Sequence, residues 1–261
     1  MPTHFCGPAG SRLRPVSGTG SSETVRALVR EVASTLDDPG PAQHPLARAF
    51  ADLWGRSAAG MSGAWRARAA TDWRRYLDGY VGEAHARSRV RPPASADHLA
   101  LRTRTIGALP VLDLAERVGH YECPARALAS PLLGDLRQLA AEVVILDNDI
   151  VSVEKEEAVG EINLVLLLQG ERRCSRTAAM ELMRTMVKER AERFIELEQG
   201  LPALAESLGL DEAEHTALER YDHDALRTLM RGAHDWHQSV ERYGDEFAEM
   251  CADAVERVAE R

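Results

Sequence analysis

Asn148, Ser152 and Glu156 recur at four-residue steps in Asn148-Asp149-Ile150-Val151-Ser152-Val153-Glu154-Lys155-Glu156. On a helix that spacing stacks the three side chains on one face. An amide, a hydroxyl and a carboxylate supply the oxygen donors that a hard divalent cation such as magnesium accepts. So few protein ligands leave its other positions to waters and substrate phosphates. Lys155, seven positions after Asn148, shares the face and could bring its ammonium to a phosphate held by the same metal. The stretch just upstream, Leu139 to Leu146, is almost wholly apolar. The polar triplet is therefore expected to point into the protein at the end of a buried helix, the alternative being a solvated helix face.

Asn-Asp-x-x-Ser-x-x-x-Glu with a lysine before the glutamate resembles the second metal-binding motif of class I terpene synthases of the microbial type. The resemblance implies an all-α enzyme that ionises an isoprenoid diphosphate with Mg2+. Arg102 stands 46 positions before Asn148, as the family's diphosphate-sensing arginine does, and Arg242-Tyr243 resembles the Arg-Tyr pair that closes over the same group. By this resemblance Asn148, Ser152 and Glu156 hold metal, while Arg102, Lys155, Arg242 and Tyr243 bind the diphosphate. Thr105, Ile106 and Gly107 would form the small switch that helps ionise it. Trp236 would line the cavity, where its π face could stabilise a carbocation, although an isolated tryptophan reads equally well as packing. His234 and His237 lack a third ligand at metal spacing and read as surface or core histidines.

The elements that must position these groups are helices. Apolar residues recur at three and four from Val25 to Leu36, then in Leu46, Phe50, Leu53 and Trp54, and again from Trp65 to Tyr80. A helix from about Asp97 carries Arg102 and meets two breakers, Gly107 and Pro110. Pro131 after Ser130 starts the helix that bears the triplet, to about Ala158. Gly160 and Gly170 bracket a turn or short helix, and further helices are expected over 175–198 and from Asp211 to about Val240. Strand alternation is missing, so the fold class is an all-α helical bundle.

The 261 residues, 44% hydrophobic, suffice for one sizeable core. A net charge of −9 argues against nucleic acid or an anionic membrane surface as a general partner, and no apolar run is long enough to span a bilayer. Four scattered cysteines, Cys6, Cys123, Cys174 and Cys251, fit reduced thiols in a cytoplasmic protein.

The family's aspartate-rich first metal motif, Asp-Asp-x-x-Asp/Glu, is expected well before Arg102. Asp37-Asp38 is the only Asp-Asp in the chain, and Pro39, Gly40 and Pro41 make it a helix stop. Residues 1–21 are rich in Gly, Ser, Pro and Arg and are expected to be disordered. Residues 22–261 then read as a partial terpene synthase domain whose first helices are missing. The expected function is Mg2+-dependent ionisation and cyclisation of an isoprenoid diphosphate, farnesyl diphosphate by default, impaired by truncation, with homodimerisation or self-association through uncovered apolar surface. The alternative is an inactive helical fragment that serves only in binding.

Overall fold

Ser130 and Pro131 start the longest helix, α7 (Pro131–Val159). The Ser130 side chain accepts from the Leu133 N–H, and Gly160 ends the helix with a left-handed φ of 71°. Around it the computed structural model describes residues 22–37, 40, 42–87 and 91–239. Every regular element among the described residues is helical. In chain order they are α1 (Ser22–Ser34), α2 (Pro45–Ala58), α3 (Gly63–Arg87), α4 (Ser95–Thr105), α5 (Ala108–Gly119) and the single turn α6 (Ala125–Leu128). After α7 come α8 (Leu164–Arg172), α9 (Arg176–Glu198), α10 (Leu201–Ser207), α11 (Glu212–Arg220), a π-helical segment (Tyr221–Arg227) and α12 (Thr228–Ser239).

α7 is the axis of the bundle, in contact with α4, α5, α8, α9 and α12. Its N-terminal half packs Leu133 and Leu136 against Phe194, Leu218 and Leu226, and its C-terminal half packs Ile145, Leu146 and Val153 against Leu164, Val165 and Met183. Each such side chain contributes about 1.5–3 kcal/mol on burial, which fixes the helix that carries the polar triplet. α3 packs on α1, α4 and α5, so it backs the arginine-bearing helix from the other side. No helix among the described residues is long and apolar enough to cross a membrane.

Four local expectations change. The helix bearing Arg102 breaks at Gly107, whose φ is 80°, and Pro110 falls harmlessly in the first turn of α5, where its missing N–H has no helical partner to lose. Gly170 does not bound α8 but lies inside it, because buried Leu167 and Leu168 hold that turn helical. Trp54 is buried and stacks on Trp65 at 6.1 Å, whereas Leu46 and Leu53 on the same helix are 59% and 39% exposed. The helix expected from Asp211 onward widens into the π segment, where Tyr221, Ala225 and Leu226 are buried together. Spacings of four and five suit its wider turn.

Candidate metal and diphosphate site

The triplet lies on the inward side of α7: Ser152 is fully buried, Glu156 is 9% exposed and Asn148 is half-buried. α4 crosses beside it and brings Arg102, whose Nη2 donates to Asn148 Oδ1 at 2.8 Å and to Asp149 Oδ1 at 3.0 Å. Asp149 is fully buried, and its Oδ2 accepts from the Leu164 N–H at 2.9 Å. Asn163 caps α8 by accepting from the Val165 N–H, and its Nδ2 donates to the Asp149 carbonyl and to Glu156 Oε2 at 2.8 and 2.9 Å. Asp149 and Asn163 therefore pin the start of α8 to the polar stretch of α7.

Burial pushes the Glu156 carboxyl up, with Asp149 adding to the rise, while Asn163 and Arg102 oppose it. Burial also works against the Arg102 charge, but Asp149, Glu156 and Glu83 outweigh it and hold the guanidinium protonated. His98 is 4% exposed, and burial lowers its pKa. A cleft of about 100 Å³ opens here, with Glu83, Arg87, His98, Arg102, Glu156 and Glu161 in its lining. Ser152 Oγ lies close enough to Glu156 to stabilise its carboxylate, yet it meets no partner at hydrogen-bonding geometry. A buried hydroxyl left so is costly, and a cation or its water would satisfy it, so the donor set fits a hard metal.

Thr105 is buried with its Oγ1 unpartnered, Ile106 is half-buried, and Gly107 has the Tyr76 ring 3.4 Å from where a Cβ would stand. Lys155 is half-buried on α7 beside Glu156. Trp236 is 44% exposed, its ring 5.6 Å from that of His237. Arg242, Tyr243 and Asp38 lie outside the described residues, as does the stretch 1–21. α1 ends at Ser34, and the exposed Asp37 pairs with Arg74 at 2.5 Å, away from the cleft.

Sequence reading passed over Asp147, Asp149, Asn163, His98 and Glu83. Asp147 and Asp149 carried a signal, because two carboxylates at the end of an apolar helix need partners wherever they point. Asp147 finds His234 and His237 of α12. Burial would raise its pKa, but the hydrogen bonds from His237 and His234 outweigh that and lower it.

Residues 17–193 match the family model described as terpene synthase family 2, C-terminal metal binding. Over 247 residues the chain is 44% identical to pentalenene synthase of Streptomyces exfoliatus, covering 94% of this chain and 71% of that protein. It is 38% identical over 231 residues to the (2E,6E)-farnesyl diphosphate cyclizing (-)-beta-caryophyllene synthase of Saccharothrix espanaensis, covering 87% and 65% of the two. The solved linalool/nerolidol synthase of Streptomyces clavuligerus, in complex with 2-fluorogeranyl diphosphate, aligns with a TM-score of 0.77 at 36% identity over 83% of this chain and 73% of that one.

Proposed function

The chain belongs to this metal-binding terpene synthase family. We propose that its chemistry is the Mg2+-dependent ionisation and cyclisation of an isoprenoid diphosphate, farnesyl diphosphate by default, impaired in these 261 residues, which contain no Asp-Asp-x-x-Asp/Glu. The observation that carries the reading is Arg102 held against Asn148 and Asp149 on the helix face that buries Ser152 and Glu156. Asn148, Ser152 and Glu156 would hold the metal, which when bound neutralises charge on the departing diphosphate. Arg102 uses only Nη2 in its two bonds, so its remaining N–H donors can grip a diphosphate oxygen without leaving Asp149. Lys155, Arg242 and Tyr243 would add contacts to the same group. The broken turn at Thr105, Ile106 and Gly107 would turn backbone dipoles toward the ionising carbon, with Trp236 on the cavity wall. The caryophyllene synthase named above cyclises farnesyl diphosphate, which supports the default substrate. We place the protein in the cytoplasm, self-associating through exposed apolar residues such as Val118 and Ile195.

A second reading, a binding protein without turnover, is favoured by one observation: the sole Asp-Asp of the chain has Asp37 tied to Arg74 at the surface. Incubation with farnesyl or geranyl diphosphate and Mg2+ separates the two. We expect little or no cyclised product from the 261-residue chain, and turnover once a helix carrying Asp-Asp-x-x-Asp/Glu is fused ahead of residue 22. Each 1.4 kcal/mol of lost charge stabilisation costs about tenfold in rate, so the contrast should span orders of magnitude. Robust cyclisation by the unfused chain would overturn the impairment. A fused protein indifferent to Asn148→Ala and Glu156→Ala would overturn the metal assignment.

A further inference from the structure

Asp147 precedes Asn148 by one residue but faces α12 rather than the cleft. Its Oδ2 lies 2.8 Å from His237 Nδ1, and its Oδ1 lies 3.2 Å from His234 Nδ1. His237 is 6% exposed, and its second ring nitrogen, Nε2, lies 3.3 Å from Asn148 Nδ2. A carboxylate only accepts, so Asp147 requires the proton of His237 on Nδ1 and leaves Nε2 as an acceptor. The Asn148 group that can answer an acceptor is its NH2. With Nδ2 committed to His237, Oδ1 is turned to the opposite side, where it meets Arg102 at 2.8 Å. Were the ring proton on Nε2 instead, the amide would gain by turning its oxygen to α12.

We propose that His237, set in its Nδ1–H tautomer by Asp147, is a positioning residue that fixes the Asn148 amide with its oxygen toward the metal. The inference rests on the reading of Asn148 as a metal ligand. Partners that orient a ligand in this way commonly change metal affinity by roughly 10–100-fold when removed. His234 supplies an internal control, since it bonds the same carboxylate, is half exposed and has no bond to Asn148.

The test titrates Mn2+, a paramagnetic stand-in for Mg2+, into the protein with inorganic pyrophosphate and follows unbound Mn2+ by electron paramagnetic resonance. His237→Phe and Asp147→Asn should each weaken Mn2+ binding roughly 10–100-fold. His237→Gln, whose amide can donate to Asp147 and accept from Asn148, should restore most of it, and His234→Ala should leave it within about twofold, since loss of a bond outside the relay removes no orientation from Asn148. Nitrogen-15 labelling of histidine should show the His237 proton on Nδ1 in the parent. Unchanged Mn2+ binding in a folded His237→Phe protein, or a proton on Nε2, would overturn the proposal. If Asn148→Ala weakens binding while His237→Phe does not, only the positioning role falls. If the parent takes up no Mn2+, or Asn148→Ala changes nothing, the ligand reading falls and the positioning role with it.

Discussion

Arg102 and Asn148, 46 residues apart in the chain, are joined by a hydrogen bond of 2.8 Å from guanidinium to amide oxygen. The same nitrogen also bonds Asp149, which is fully buried, so one donor ties α4 to two consecutive residues of α7. The sequence interval noticed between the arginine and the triplet is, in space, a contact.

Removing Arg102 should cost stability as well as activity, because the fully buried Asp149 carboxyl would be left with only the Leu164 N–H as a partner for its side chain. Arg102→Met is expected to lower unfolding free energy by about 3–5 kcal/mol, and Arg102→Met combined with Asp149→Leu by clearly less than the sum of the single changes. Urea denaturation of the three variants checks this. Simple additivity would mean that the pair is not coupled.

Gly107→Ala should destabilise by about 1–2 kcal/mol, since φ is 80° and the Tyr76 ring stands 3.4 Å from the added carbon. Gly134 offers the contrast. It lies inside α7 with open space around its Cβ direction, so Gly134→Ala should stabilise by about 0.5–1 kcal/mol. Opposite shifts in melting temperature are expected.

A buried ionic cluster behind α3 and α5 predicts a pH dependence. Arg68 bonds Asp113 at 3.1 Å and also bonds Glu116, while Arg137 bonds Asp72 at 2.6 Å. Three carboxylates thus share two guanidinium groups, and burial pushes Asp113 up to about 6 and Glu116 up to about 7. Raised acids bind more protons in the folded state. Their contribution to stability is complete below about pH 4 and is lost as pH rises through 6 and 7. Melting temperature should therefore fall between pH 5 and pH 8, less so in Glu116→Gln, where the amide needs no proton. Comparing parent with variant removes the opposite contribution of His98, whose pKa is lowered from 6.5. Parallel pH profiles would contradict the raised titration of Glu116.

Helix content and the inward turn of the triplet were legible because apolar periodicity and the Ser130-Pro131 start are strong local signals. The break at Gly107 was legible in place but not in form, since only backbone geometry shows that Pro110 sits in a first turn. The π segment was not legible, because Tyr221, Ala225 and Leu226 also fit an ordinary amphipathic helix. His237 was set aside for want of a third metal ligand, and what it meets instead is a hydrogen-bond partner, Asp147, which sits 90 positions earlier and reaches it only through the packing of α12 on α7. Pairings that depend on how two helices cross leave no mark at fixed sequence spacing.

Asp147, Asn148 and Asp149 are consecutive, and a helix rotates by about 100° per residue, so the three fan outward to α12, Arg102 of α4 and the junction of α4 with α8. This makes α7 a keyed shaft. One residue inserted between Leu146 and the fan would turn every key off its lock together, whereas four inserted residues would bring them back to within about 40° of their original bearings, one step further along the axis. The reading frame of this helix relative to its neighbours is consequently far less negotiable than the identity of the apolar residues that bury it.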